Sequence, residues 1–283
     1  MSQTALFYSA KALRAQLDPG RGSVGFVPTM GALHAGHLSL VQRACREHPR
    51  VVVSIFVNPT QFGPHEDYGR YPRTLAADRR LLASVGKVLV YAPGVEDVYP
   101  RGFSSSLKVS GSLGQVLEAA WRPGHFDGVA TVVARLFGLV RPQQAYFGLK
   151  DYQQFQVLRR VTMDLALPVK LSGCATVRDA DGLALSSRNR FLDPAQRRQA
   201  TALVRALRAS AALAAQGERS AARLQAAGLK VLRAERGVKV QYYALADAQS
   251  LQALRRLDRP AVLATACLLG KTRLIDNLLL RPR

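Results

Sequence analysis

The chain of 283 residues has only three cysteines, Cys45, Cys174 and Cys267. They are far apart, odd in number and match no metal-ligand spacing, which excludes a disulfide scaffold and a zinc module and fits a reducing cytosol. No apolar run approaches the roughly 20 residues that a membrane-spanning helix needs. The first residues, MSQTALFYSAKALRAQLD, lack a basic flank followed by an apolar core, so no secretory signal is expected. Internal repeats and low-complexity tracts are also missing. Acidic residues are scarce: 19 Asp and Glu stand against 40 Lys and Arg, a net charge of +21. Such an excess raises the question of nucleic acid. Yet no run of five basic residues occurs, no anticodon-binding module is apparent, and there is no aromatic-rich strand motif of a single-strand binder. Of the basic residues 32 are Arg and only 8 Lys, beside abundant Ala, as a codon bias toward G and C would produce.

What is present is an ordinary globular composition, 48% hydrophobic and 21% charged. Up to about residue 175 strand-like and helix-like segments alternate. Strands are expected at Val24–Val27, Val51–Val57, Lys87–Tyr91, Gln144–Phe147 and Val169–Ser172. The run VVVSIFV is almost wholly apolar, as a strand buried on both faces should be. Helices are expected at Leu38–Cys45, Thr74–Ser84, Val132–Val140 and Tyr152–Leu165. The alternation predicts an α/β fold with a parallel sheet, whose ligand site lies at the carboxyl ends of strands. Asp193-Pro194 is a good helix start. Beyond it come Ala- and Arg-rich helical segments, Ala195–Gln216 and Ser220–Arg236, and then strands at Val238–Leu245, Ala261–Leu268 and Thr272–Leu280. Two domains are therefore expected: residues 1–184, Rossmann-like, and a smaller α+β unit, 185–283.

Four stretches carry chemistry. In Pro28-Thr29-Met30-Gly31-Ala32-Leu33-His34-Ala35-Gly36-His37-Leu38, two histidines flank a glycine after a strand and at a helix start. A helix N-terminus presents unpaired N–H groups to phosphate. Imidazoles at i and i+3 can both donate to it as an adenylate forms. In Val57-Asn58-Pro59-Thr60-Gln61-Phe62, the amides of Asn58 and Gln61 follow a buried strand and can read a hydroxyl and a carboxylate together. Glycines and prolines from Gly63 to Pro72 mark a loop able to close over a site. In Phe147-Gly148-Leu149-Lys150-Asp151-Tyr152-Gln153-Gln154, Lys150 can neutralise phosphate, while Asp151 suits either ribose hydroxyls or a helix N-cap. Gln154 shares their face one turn on. In Leu185-Ser186-Ser187-Arg188, hydroxyls, N–H groups and a guanidinium fork suit a phosphate cradle, or an ordinary serine turn.

Together these strings resemble the pantothenate synthetase (pantoate–β-alanine ligase) family of the class I nucleotidylyl-transferase superfamily. The resemblance covers nearly the whole chain and extends to Tyr71-Pro72-Arg73-Thr74, His125-Phe126-Asp127-Gly128-Val129, Val140-Arg141-Pro142 and Thr272-Arg273-Leu274-Ile275-Asp276-Asn277. It implies an ATP-dependent condensation of (R)-pantoate with β-alanine through pantoyl adenylate, with Mg²⁺ assisting and AMP and pyrophosphate released. It places Met30, Gly31, Ala32, Leu33, His34, Ala35, Gly36 and His37 at ATP, with His34 and His37 on the phosphates and His37 as proton donor. Gly148, Leu149, Lys150, Asp151 and Val177 would meet the nucleotide. Leu185, Ser186, Ser187 and Arg188 would form a mobile phosphate-binding segment that opens the second domain as a lid. Gln61 and Gln154 would hold pantoate, Gln61 also lying near β-alanine, with Asn58 as a further candidate. The resemblance also implies a cytoplasmic homodimer, without a specific nucleic-acid or membrane partner.

Three positions depart from the family pattern. Leu149 replaces the usual Glu, giving GLKD, and Leu185 replaces Met, giving LSSR. Ala77 replaces a commonly acidic position, leaving Asp78 as the local carboxylate. No protein ligand of Mg²⁺ is assigned, Asp78 being the one candidate. A nucleotidyltransferase with another small acceptor and an RNA-binding protein are the alternatives. A phosphorylated acceptor should need more cationic contacts than the Gln61 and Gln154 amides offer.

Overall fold

Sheet formation in the N-terminal part follows from strands with no polar face. Val52 and Val53 are fully buried and Val51 nearly so, as are Phe26 and Val27 on the neighbouring strand. Such strands need cover on both faces, which parallel pairing with crossover helices provides. The computed structural model describes residues 4–17, 22–64 and 66–282. They fall into two compact units. The first comprises the chain up to Val109, Arg122–Leu149 and Val157–Ala175. The second comprises Ser110–Trp121, Lys150–Gln156 and the chain from Thr176 on.

In chain order the first unit contains β1 (Ala5–Phe7), α1 (Ala10–Gln16), β2 (Val24–Thr29), α2 (Ala35–Glu47), β3 (Arg50–Ile55), α3 (Leu75–Ala83), β4 (Leu89–Tyr91) and α4 (Val95–Val98). After α5 (Glu118–Trp121), which belongs to the second unit, follow α6 (His125–Val140), β5 (Gln144–Gly148), α7 (Tyr152–Asp164) and β6 (Lys170–Cys174). The six strands run in the order β1-β4-β3-β2-β5-β6, and every pair is parallel. Strand order reverses between β2 and β5, so the carboxyl ends of these two strands flank the position where open α/β sheets hold ligands. Helix α2 buries Leu40, Val41 and Ala44 against Val27, Val51, Val53 and Tyr146. Each fully buried Leu or Val contributes about 1.5–3 kcal/mol.

Strand β2 runs through Pro28 to Thr29 instead of stopping at Val27. The carbonyl of Thr29 accepts from Phe56 on the β3 side, and that of Val24 accepts from Gln143 on the β5 side. Alternation therefore points Pro28 toward β5, where pairing already ends at Phe26 with Ala145. The missing N–H removes no ladder bond.

The second unit adds α8 (Pro194–Ala200), α9 (Ala202–Ala215), α10 (Ala221–Arg233) and an antiparallel sheet, β7 (Val238–Asp247), β8 (Ala261–Leu269) and β9 (Thr272–Leu280), in that order. The helix expected over Ala195–Gln216 is two helices. At Thr201 both the N–H and the side-chain Oγ1 donate to the Arg198 carbonyl, which tightens the turn and breaks the run. Leu203, Leu207, Leu224, Leu232, Leu245 and Leu263 form the core between helices and sheet. Gly228 lets α10 approach β7: a Cβ there would lie 2.1 Å from the Tyr243 hydroxyl.

The division of the chain is more interleaved than a single boundary at 184/185. It falls at Thr176, just after β6, and the second unit also takes in 110–121 and 150–156. Gln153 ties those two segments together. Its Nε2 donates to the carbonyls of Leu113 and Val116, both at 2.8 Å, and its Oε1 accepts from the N–H of Glu118 at 2.9 Å. Among the described residues no helix is long and apolar enough to cross a membrane.

Candidate active site

The turn from β2 into α2 is built by backbone groups pinned to side chains. Thr29 Oγ1 donates to the Ser54 carbonyl at 2.7 Å and accepts from the N–H of Gly31 at 3.1 Å. Gly31 takes φ +82°, and a Cβ there would lie 3.0 Å from the Ile55 side chain. Ala32 follows with φ +50°, a strained value for a residue with a Cβ. The buried carboxylate of Asp78 holds it there, accepting from the N–H of Ala32 at 3.1 Å, of Leu33 at 2.8 Å and from Thr74 Oγ1 at 3.1 Å. The candidate metal ligand is thus the anchor of the turn. Among the described residues no group of three His, Cys, Asp or Glu is placed to hold a metal ion.

Helix α2 opens on a capping box made by two imidazoles. His34 is the N-cap, its Nδ1 accepting from the N–H of Gly36 at 3.2 Å, and His37 Nδ1 accepts from the N–H of His34 at 3.4 Å. The ring centroids are 4.1 Å apart. With both Nδ1 atoms accepting, each neutral ring carries its proton on Nε2. The sequence places two donors one turn apart, and this geometry fixes their tautomer. No acidic residue occupies the first turn of α2, where one would offset the positive end of the helix dipole.

Gln61 lies in the turn Pro59–Gln61, after β3, and is 8% exposed. Its Nε2 is 3.1 Å from Met30 Sδ, which brings the second chemical stretch to the first. Asn58, expected as a further substrate contact, makes a set of local bonds. Its Nδ2 donates to Gln61 Oε1 at 3.1 Å and to the Gly128 carbonyl at 3.2 Å. Its Oδ1 accepts from Tyr99 Oη at 2.8 Å and from the N–H and hydroxyl of Thr60. At 1% exposure it is placed to orient Gln61. Burial pushes the Tyr99 phenol up, so it remains a donor.

The backbone of Gln61 is held as well. His125 Nδ1 donates to its carbonyl at 2.8 Å, and His125 Nε2 accepts from Arg122 Nη1 at 3.0 Å. Arg122 in turn forms a two-pronged pair with Glu66, at 2.6 and 2.5 Å. Burial pushes the Glu66 carboxyl up, but Arg122 outweighs it and holds the group below the ordinary value. The roles of Tyr99, Arg122, His125 and Glu66 were not legible in the sequence. The string HFDGV marked only the position of His125.

In the second unit, Lys150 and Asp151 end a tight turn at the mouth of α7, and Gln154 is half-buried in its first turn. With Leu at 149, the carboxylate beside Lys150 is Asp151, whose Oδ1 is 3.5 Å from Nζ. Asp151 directly precedes α7, so both of its expected roles fit its position. The Lys150 carbonyl accepts from Asn277 Nδ2 at 2.7 Å.

Val177 and Leu185 face each other across a reversing turn, the N–H of Leu185 donating to the Val177 carbonyl at 3.0 Å. Gly182 turns the chain with φ +87°. Arg197 on α8 closes that turn onto Asp179 and Asp181, at 2.6 and 3.0 Å. Ser186 caps the short helical turn Ser187–Phe191, its Oγ accepting from the N–H of Arg188 at 3.2 Å. Ser186, Ser187 and Arg188 are all half-buried. Burial and the charge of Arg188 push the Arg273 guanidinium down, but Glu118, gripping it with two bonds of 2.5 and 2.7 Å, outweighs them and holds it above the ordinary value.

Comparison with known proteins agrees with this geometry. The family model described as pantoate-beta-alanine ligase matches residues 5–279. The pantothenate synthetase of Rubrobacter xylanophilus is 52% identical, covering 98% of this chain and 99% of its own length. That of Thermus thermophilus is 54% identical, covering 95% of this chain and 97% of its own. The crystal structure of the Thermus thermophilus enzyme superposes with a TM-score of 0.95, at 51% identity over 99% of this chain and all of the other. A pantoate-beta-alanine ligase from Francisella tularensis, crystallised with a β,γ-ATP ligand and β-alanine, superposes with a TM-score of 0.81, at 34% identity over 98% of this chain and 97% of the other. With the capped histidine pair, the anchored Gln61 and a match along nearly its whole length, the chain belongs to the pantoate–β-alanine ligase family.

Proposed function

We propose that the chain condenses (R)-pantoate with β-alanine to pantothenate, consuming ATP through a pantoyl adenylate and releasing AMP and pyrophosphate. The observation that carries this reading is the imidazole pair at the start of α2, with both Nδ1 atoms tied to backbone N–H groups. Two Nε2–H donors at the positive end of a helix suit charge that develops on the α- and β-phosphates.

A carboxylate is a weak nucleophile toward a polyanion, so charge must be cancelled before the two meet. His34, His37, Lys150, Ser186, Ser187 and Arg188 supply that cancellation in this reading, with His37 passing a proton toward the leaving pyrophosphate. Met30 to His37, Gly148 to Asp151, Val177 and Leu185 line the nucleotide. Gln61 and Gln154 bind pantoate, and Gln61 also lies beside β-alanine. Gln61 suits this because its amide is held from both sides, by Asn58 at Oε1 and by Met30 at Nε2. The loop from Gly63 to Pro72, of which His65 lies outside the described residues, shields the mixed anhydride from water.

The donors at the β2–α2 turn are imidazoles and N–H groups, and Asp78 is engaged by the backbone. These residues do not form a Mg²⁺ site. The ion accompanies the ATP phosphates and receives no protein ligand and no separate step here. A homodimer in the cytoplasm completes the reading.

The test is pantoate-dependent pyrophosphate release from ATP, followed by pantothenate formation when β-alanine is added. Purified protein that releases pyrophosphate equally well without pantoate overturns the assignment of the acceptor.

A further inference from the structure

Arg178, before the reversing turn, and Asp276-Asn277, in the middle of β9, have no role in the chemistry described so far. The structure joins them. The Arg178 fork grips Asp276, Nη1 donating to Oδ2 at 2.6 Å and Nη2 to Oδ1 at 2.9 Å. The same Nη1 also donates to the Gly182 carbonyl at 3.1 Å, at the tip of the turn that leads into Leu185–Arg188. Asp276 Oδ1 accepts from the N–H of Asn277 at 2.8 Å, and Asn277 Nδ2 donates to the Lys150 carbonyl at 2.7 Å. Asp276 is 3% exposed and Asn277 9%.

We infer that Asn277, fixed by the Arg178–Asp276 pair, is a positioning residue that sets the Lys150 backbone against the 185–188 segment. The inference rests on the proposed roles of Lys150 and Arg188 at phosphate. One buried hub touches both chain segments that bring a cation: β9 through Asn277 to Lys150, and the 178–184 turn through Gly182 toward Arg188. Asn189, just past Arg188, extends the link, its Nδ2 donating to the Ala184 carbonyl at 3.0 Å. A two-pronged guanidinium–carboxylate pair is planar and directional, so it fixes an angle as well as a distance. That rigidity suits a transition state in which a displacement of about 1 Å costs on the order of 100-fold in rate. It also answers the loss of a carboxylate at Leu149: Lys150 is placed through its backbone.

The test measures pantoate-dependent ATP–pyrophosphate exchange for Asn277→Ala and Asn277→Asp, each alone and in a Lys150→Ala background, with thermal melting of each. Both substitutions remove the Nδ2 donor, and the second keeps its volume. Each should lower kcat about 10- to 100-fold. The KM for pantoate should stay within about twofold and the melting temperature within about 4 °C. In the Lys150→Ala background either change should add less than about twofold, because its route to the phosphate is already gone. A loss that multiplies fully onto Lys150→Ala, or a kcat that Asn277→Ala leaves unchanged while Lys150→Ala lowers it, overturns the positioning role alone. Full exchange by Lys150→Ala overturns the underlying reading of Lys150.

Discussion

Asp78 Oδ1 accepts a 2.8 Å hydrogen bond from the main-chain N–H of Leu33, across 45 residues of sequence. Together with the bond from Ala32 to Oδ2 it fixes the strained turn from which His34 and His37 project. A carboxylate is needed because both N–H groups require an acceptor. Asp78→Asn turns an amide NH₂ toward one of them and leaves a buried donor unsatisfied. Stability should fall by about 2–3 kcal/mol, read from denaturant unfolding. The Mg²⁺ concentration giving half-maximal exchange should stay as in the parent protein. A large shift in that concentration would return Asp78 to the metal.

His37→Ala removes one Nε2–H donor and half of the capping box. Pantoate-dependent pyrophosphate exchange should drop about 100- to 1,000-fold, as for loss of a donor aimed at developing charge. The helix cap should cost only about 1 kcal/mol. Stopped-flow pyrophosphate release and a melting curve separate the two effects. Full adenylation by this variant would remove His37 from the chemistry.

Gly128 is the point where α6 meets the Pro59–Gln61 turn. A Cβ would lie 2.3 Å from the Thr60 carbonyl and 2.8 Å from Gln61 Cα, both backbone atoms. Gly128→Ala should therefore displace Gln61 and destabilise the protein by about 1–3 kcal/mol. The KM for pantoate should rise more than that for ATP, which steady-state kinetics with each substrate varied will show.

Glu47 reports on acid stability. Its carboxyl is held down to about 2, first by the Arg43 bond and then by that from Tyr146, with Gln144 assisting. A depressed folded value contributes stability that is fully present above the ordinary 4.5 and is lost as pH falls toward 2. Glu47→Gln should flatten the pH dependence of unfolding in that window and leave the region above pH 6 parallel to the parent. Unchanged acid dependence would show that other carboxylates govern it.

The net charge of +21 takes a smaller part than its size suggests. Residues 179–283 carry 19 basic and 8 acidic side chains, so the excess is densest beyond the parallel sheet. Many of these arginines are bound locally, as Arg197 is to Asp179 and Asp181, and Arg205 to Glu235. If what remains steers ATP and pantoate, kcat/KM for both should fall with added salt, and a salt-independent kcat/KM would leave the charge without that role.

The sequence by itself determined the parallel sheet, because apolar runs such as Val51–Val53 leave a strand no solvent face. It also determined the second α+β unit, from helical spacing and the Asp193-Pro194 start, and the glycine and histidine pattern that opens α2. These are local signals, carried by neighbouring residues. The tertiary structure decided which polar side chains support others. Asp78 reaches the Leu33 backbone, Asn58 bonds to Gln61 and Gly128, and Asn277 binds the carbonyl of Lys150 from 127 residues away. It decided too that residues 110–121 and 150–156 join the second unit, where Ser112 donates to the Ser250 carbonyl and Tyr152 to that of Ala248. Such pairings depend on where buried donors find acceptors once the chain is packed, and no spacing along the sequence encodes that.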